Sequence, residues 1–304
     1  MKKLFLLLST LTLVTGLAAC ESEESIQVYT RDTSSGTRAG FMEAIGFEGG
    51  DTDDSLLAPG FVIAGNDEQV NAVQTDPFAI GYVSLSTYEP TLFKGFNFEG
   101  VEPTEENVLN GSYGLARRFN YMLRDDYSVY GADAAAYEAL SKAFVAYMGT
   151  REGQLTIKEA GAIVDVTGPA WSSIASQHPI CAQDNSGYTL KFGGSDSVEK
   201  VATSLSPDFS SVCGNVVPEH NHTGSSNAYK GLNGDNKGID DALSIHIGFA
   251  SREFRDSEPA AIKGVVAIDA IVAIGSLENE VDNLTAAQLT AIYSGEITDW
   301  NELK

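Results

Sequence analysis

Positive charge is what this chain has least of. Its 304 residues carry 19 Lys and Arg against 42 Asp and Glu, a formal net charge of -23 with a pI of about 4.3. A surface of that sign repels nucleic acid and anionic lipid headgroups, which removes both as partners. Cysteine is scarce too: there are three, and none form a Cys-x-x-Cys pair. No Gly-x-Ser-x-Gly nucleophile elbow and no glycine-rich nucleotide loop ending in Lys-Ser or Lys-Thr occurs. The apolar run Leu4–Leu17 is too short to span a bilayer.

That run follows the basic Met1-Lys2-Lys3 and ends in Leu17-Ala18-Ala19-Cys20. The pattern is that of a lipoprotein signal peptide over 1–19, with Cys20 lipidated after cleavage. It implies a bacterial, extracytoplasmic protein held on the outer face of a membrane or in a periplasm, touching lipid only through Cys20. A plain secretory signal with a chance Cys is the other reading. Cys181 and Cys213 would then meet an oxidising compartment and are expected to pair. The bridge would close a loop of about thirty residues and add on the order of 3–4 kcal/mol. Hydrophobic residues make up 43% of the chain, enough for one large or two medium cores.

The most informative stretch runs from Tyr29 to Arg38, Tyr-Thr-Arg-Asp-Thr-Ser-Ser-Gly-Thr-Arg. Ile26–Tyr29 alternates apolar and polar like a strand, and Ala39–Ile45 has the apolar face of a helix. A hydroxyl-rich turn therefore feeds a helix N-terminus, where free N–H groups and the dipole favour an anion. Gly36 permits close backbone approach. Ser35 and Thr37 donate hydroxyl protons, and Arg31 offers a planar fork suited to a tetrahedral oxyanion. Taken alone, the stretch is equally an ordinary Ser-capped helix.

Strands alternate with helices along the rest of the chain, which predicts an α/β fold with mixed sheets. Strands are expected at Phe61–Ala64, Ala79–Leu85, Arg117–Leu123, Tyr188–Phe192, within Val212–Glu219 and at Ile245–Arg252. Gly264–Ile274 reads as a buried strand pair or one crossing strand. Helices are expected at Thr37–Gly46, Asn66–Val73 with Asn66 as cap, Ala132–Met148, Arg151–Ala160, Val198–Leu205 and Thr285–Ser294. Val164–Asn185 has no clear period and reads as a connector. His220-Asn221-His222 lacks a third metal ligand and reads as a solvated loop. The acidic loops at 49–55 and 233–238 miss key positions of a calcium loop, so no metal is expected.

Arg31 followed by Ser35-Gly36-Thr37 resembles the central motif of the solute-binding proteins of high-affinity phosphate ABC importers. Ala79–Leu85 resembles the strand closing that lobe, and Leu115–Asn120 the return crossing. Ile292–Ile297 with Asp299-Trp300-Asn301 resembles the segment before the first crossing. The resemblance covers most of the mature chain but in an unusual order. The usual N-terminal segment begins near Tyr188, which implies a circular permutation with 164–185 as the joining connector.

The resemblance further implies a two-lobed, periplasmic-binding-protein-like (type II) fold with two crossing strands. One lobe would comprise 20–114 plus 266–304, and the other 115–265. Inorganic phosphate would bind in the cleft, with no cofactor, and a monomer would deliver it to ABC permease and ATPase subunits. Arg31, Ser35, Gly36 and Thr37 would serve from one lobe, and Ser197, Val198 and Ser225 from the other. Many such proteins carry a Ser-Asp pair whose Asp accepts a ligand proton and so rejects sulfate. Here the pair is Ser251-Arg252, and Arg cannot accept a hydrogen bond. Asp196 and Asp32 are candidate substitutes, and Arg252 is a candidate ligand or bridge between lobes. Arg38 is open to two readings, ligand or surface ion pair. Rival functions are a binding protein for sulfate, molybdate or tungstate, a surface sensor, and a phosphatase-like enzyme using Ser35. No general base accompanies Ser35, so an enzyme is not expected.

Overall fold

The computed structural model describes residues 25–303; the signal peptide and Cys20 lie outside them. In chain order the strands are β1 Gln27–Thr30, β2 Val62–Ile63, β3 Ala79–Ser84, β4 Lys94–Gly95, β5 Asn97–Phe98, β6 Ala116–Leu123, β7 Thr189–Gly194, β8 Val217–His222, β9 Ile247–Ala250, β10 Lys263–Gly275 and β11 Asn283–Leu284. The helices are α1 Gly36–Ala44, α2 Asn66–Thr75, α3 Glu105–Leu109, α4 Ala134–Met148, α5 Arg151–Glu159, α6 Trp171–Ile174, α7 Glu199–Val212, α8 Ser225–Leu232 and α9 Ala286–Ser294.

One mixed sheet runs in the order β2-β1-β3-β10-β6-β9-β7-β8. Its two ends are parallel, β1 with β2 and β3, and β7 with β8 and β9. Its middle is antiparallel. The 13-residue β10 pairs with β6 over its first part and with β3 over its last. The Gly264–Ile274 run is therefore one crossing strand, and β6 is the second.

Two main cores lie at the two ends of this sheet. The first gathers Val28, Phe41, Tyr82, Phe96, Ile271 and Tyr293. Phe41 of α1 stacks on Tyr82 of β3 at 4.2 Å and meets Tyr293 of α9 edge-on at 5.1 Å, which fixes the N-terminus of α1 over the end of β1. The second gathers Phe144, Trp171, Leu190, Phe192, Leu205 and Phe209. Cys181 and Cys213 are bonded, tying the connector to the C-terminal end of α7.

Several local expectations needed correction. Asn66 is the first residue of α2 rather than its cap; Gly65 is the cap, and its N–H donates to Glu68 Oε2 at 2.6 Å. α7 runs through Pro207 to Val212 instead of stopping at Leu205. Proline removes one backbone bond there, but Leu205, Ser206 and Phe209 on either side are buried and hold the helix against β8 and α5. The 164–185 connector contains α6 and short 3-10 turns. His220 and His222 stand on β8, not in a loop. Arg38 is fully buried, donating to the Gly50 and Arg31 carbonyls at 2.9 and 3.0 Å and pairing with Asp54 at 2.6 Å, so it is not a surface residue.

Candidate functional site

The C-terminal end of β1 and the N-terminus of α1 meet the corresponding ends of β7, β8 and β9. Ser35 caps α1 by accepting from the Arg38 N–H. By helix geometry the Gly36 and Thr37 N–H groups have no intrahelical partner and point along the helix axis. Across the seam, the turn Ser195–Val198 leads from β7 into α7, and Gly224 leads from β8 into α8. Gly224 holds φ 123°, a region closed to most side chains, and its N–H donates to Gly194 O at 2.8 Å.

Six hydroxyls are buried here: Ser35, Thr37, Ser195, Ser197, Ser225 and Ser251. Thr37 Oγ1 and Ser197 Oγ share a hydrogen bond of 2.5 Å across the seam. Ser195 Oγ donates to Ser251 Oγ at 2.9 Å, and Ser225 Oγ accepts from the Ser251 N–H at 3.0 Å. Gly36 faces Ser225 and Ser251 so closely that a Cβ built on it would overlap the Ser225 hydroxyl and lie 2.6 Å from Ser251 Oγ. Only glycine allows the two halves to close to this distance.

Arg31 supplies the charge at the seam. Its side chain is 4% exposed, and burial lowers its pKa. Nη1 donates to Asn66 Oδ1 at 2.7 Å, and Nη2 is ion-paired with Asp196 from the other half. Asn66 thus does not cap α2 because its amide oxygen holds Arg31. The backbone N–H of Arg31 donates to Tyr82 Oη at 3.2 Å, which also bonds Thr30 Oγ1 at 2.7 Å. Burial raises the Tyr82 pKa, so the phenol stays neutral. Clefts of about 370 and 690 Å³ flank the Arg31–Asp196 pair. The first is lined by Tyr29, Asp32, Glu68 and Thr223, the second by Asn66, Ser86, Ser197 and Lys200.

The structure therefore gathers Arg31, Ser35, Gly36, Thr37, Ser197 and Ser225 at one seam. Val198 is buried beside them, with its N–H donating to Ser195 O at 3.3 Å. Arg252 sits at the edge of the seam. Its two terminal nitrogens bind the Glu258 carboxylate at 2.7 and 2.8 Å, and Nη2 reaches Ser226 Oγ at 3.3 Å. Of the two acidic candidates, Asp196 faces Arg31, whereas Asp32 accepts from the backbone and side chain of Ser34. Sequence reasoning missed Ser195, Ser251 and Asn66 as site residues. Ser195 lies inside the same Gly-Gly-Ser-Asp-Ser turn as Ser197, a signal that was available; the reach of Asn66 to Arg31 had none.

A ring of rotatable hydroxyls, helix N-termini and one buried guanidinium can enclose a small oxyanion and hydrogen-bond each of its oxygens. Among the described residues, no group of three His, Cys, Asp or Glu side chains gathers that could hold a metal ion.

Comparison with known proteins points the same way. The sequence profile of the PBP superfamily domain matches residues 180–304. The phosphate-binding protein PstS 2 of Streptococcus agalactiae serotype V is 28% identical over 301 residues, covering 94% of this chain and 92% of that protein. PstS 2 of Streptococcus pneumoniae serotype 4 is 27% identical over 302 residues, covering 95% and 94%. The crystal structure of a phosphate ABC transporter phosphate-binding protein from Streptococcus pneumoniae TIGR4 superposes with a TM-score of 0.66 at 24% identity, over 92% of this chain and all of that one. Residues 180–304 thus match the PBP superfamily domain, the chain has the mixed α/β fold of that streptococcal structure, and along nearly its whole length it is similar to streptococcal phosphate-binding proteins.

Proposed function

We propose that this protein captures inorganic phosphate between its two halves and delivers it to an ABC importer. The observation that carries this reading is the seam itself: Arg31 and six buried hydroxyls converge where three helices begin. Phosphate meets a chain of charge -23, so long-range attraction is absent and recognition must be local. Desolvating a phosphate dianion is tolerable only when donors reach every oxygen, and this seam has the donors. Arg31, Ser35, Gly36 and Thr37 bind from the first half, and Ser197, Val198 and Ser225 from the second, to which Ser195 and Ser251 are added. Arg252 acts at the rim, through Ser226 and Glu258. Asp196 supplies the carboxylate that accepts a ligand proton in place of the Asp lacking at Ser251-Arg252.

The lobes are assigned to 20–114 plus 266–304 and to 115–265, hinged on β6 and β10. The superfamily match begins at residue 180 and runs to the end of the chain, which supports a circular permutation about the 164–185 connector. The continuous alignment with the streptococcal proteins implies that they share this order. The protein works as a monomer, anchored through lipid on Cys20 outside the cytoplasm, and docks on the permease subunits of an importer driven by its ATPase subunits. Binding of another oxyanion is favoured by one observation, the Arg at 252.

Calorimetric titration of the protein from Glu21 onward, after unfolding and refolding to strip ligand, tests the reading. Phosphate and arsenate are expected to bind tightly and sulfate poorly. Tight sulfate binding, or no binding, would overturn it. Mass spectrometry of the membrane-extracted protein is expected to find a diacylglyceryl adduct on Cys20.

A further inference from the structure

The two histidines of β8 lie directly behind the site. His220 and His222 are two residues apart on a strand, so their rings face the same side. That side is the second core. The His220 ring stacks on Phe192 at 4.9 Å and 15°, and the two His rings are 5.4 Å apart at 19°. Three hydrogen bonds join them into a chain. His222 Nδ1 lies 2.9 Å from Ser195 O, His220 Nδ1 lies 3.2 Å from His222 Nε2, and Ser206 Oγ lies 2.8 Å from His220 Nε2.

The protons in this chain have one consistent placement. A carbonyl oxygen only accepts, so His222 must carry its proton on Nδ1. Burial holds both rings below the ordinary His pKa, and both are therefore neutral at neutral pH. A neutral His222 protonated on Nδ1 presents Nε2 as an acceptor, so His220 donates from its own Nδ1. His220 Nε2 then accepts, and the Ser206 hydroxyl donates to it. The relay runs one way, from Ser206 on α7 through two imidazoles on β8 to the backbone of the turn that opens α7.

We propose that His222 and His220 are positioning residues of the anion site, which they serve by fixing the Ser195 carbonyl. This rests on the phosphate reading above. The Ser195 peptide is held from both sides, its N–H donating to Phe249 O at 2.8 Å and its C=O accepting from His222. The turn so fixed carries the Ser195 and Ser197 hydroxyls and Asp196, the partner of Arg31. Without the His222 donor, the Ser195 carbonyl keeps only the 3.3 Å bond from the Val198 N–H, and the turn's hydroxyls lose their alignment with Thr37 and Ser251.

The relay is tested first without mutation. Long-range ¹⁵N correlation spectra at pH 7 are expected to show His220 and His222 both protonated on Nδ1. His246, whose Nδ1 accepts from the Lys191 N–H at 2.8 Å, is expected to carry its proton on Nε2 and serves as the internal contrast. A His222 protonated on Nε2, or charged, would overturn the relay. Next, His222→Phe keeps a stacked ring and removes the donor, and is expected to weaken phosphate binding about tenfold. His222→Asn, which returns an N–H at the Nδ1 position, is expected to recover most of that loss at equal or lower thermal stability. Phosphate affinity in His222→Phe equal to that of the parent would sink the positioning role, as would a loss that His222→Asn does not repair. A parent protein that binds no phosphate fails the functional reading instead, and the tautomers then decide the relay alone.

Discussion

The two halves bring unlike chemistry to the same seam. The first contributes the charge, a buried Arg31 clasped by Asn66 and backed by the Phe41–Tyr82–Tyr293 cluster. The second contributes neutral donors, Ser195, Ser197, Ser225 and Ser251, together with one carboxylate, Asp196. All four histidines of the chain, at 178, 220, 222 and 246, and the disulfide belong to the second half. A guanidinium buried on one side only is discharged by whatever closes over it. Asp196 does so here, and an oxyanion would do so in its place. If the seam binds phosphate as proposed, strength would reside with the first half and selectivity with the second.

The sharpest way to break this contrast is to remove, one at a time, the arginine within the seam and the one at its edge. Arg31→Met is expected to lower phosphate affinity on the order of 10²- to 10³-fold, since losing one partner of a buried charged contact costs about 3–5 kcal/mol. Arg252→Met is expected to change affinity less than tenfold and to act on stability by orphaning Glu258. Equal losses in a titration of both variants would end the assignment of charge to the first half.

The disulfide separates stability from binding. Cys213→Ser is expected to lower unfolding stability by about 3–4 kcal/mol in denaturant melts while leaving phosphate affinity unchanged, because the bridge lies at the far end of α7 from the site.

Acid should act on the second half. Burial holds His222 down to about 4 and His246 down to about 3, the latter helped by the nearby Arg124 and Lys191 charges. Their folded pKa values lie below the unfolded value of about 6.5, so on acidification the unfolded chain takes up protons first. Stability is then lost from pH about 6.5 downward, at up to about 1.4 kcal/mol per pH unit for each group, until the folded values are reached. Denaturation midpoints measured from pH 7 to 4 should fall steadily, and His246→Gln should flatten the slope.

Gly36→Ala probes the fit between the halves. The added methyl meets Ser225 and Ser251, so the closed state is expected to cost about 1–3 kcal/mol more, seen as a roughly tenfold or greater loss of phosphate affinity with little change in melting temperature. Smallest of all, Asp196→Asn is expected to leave phosphate binding within about tenfold while raising relative sulfate binding, since Asn can donate to a fully ionised anion and a carboxylate cannot. An unchanged ratio in competition titrations would remove Asp196 from the account of selectivity.

Much of this protein was legible from local pattern. A hydroxyl cap before an apolar face marks α1, and an apolar run broken only by Asp269 marks the crossing strand β10. Such signals arise within a few residues, where propensity and capping act, so the sequence alone determined the order of the main elements, the Arg31–Thr37 turn and the expected pairing of Cys181 with Cys213. Only the tertiary structure decided which side chains meet. Asn66 reaches Arg31 across 35 positions and Asp196 across 165, while Arg38 sinks into the first core and Glu258 takes up Arg252. His220 and His222 read as solvated because two polar residues on a short strand look exposed. They became half-buried only when α7 and Phe192 packed against them. The partner of a charge or an imidazole is set by which surfaces packing brings together, and no local spacing encodes that.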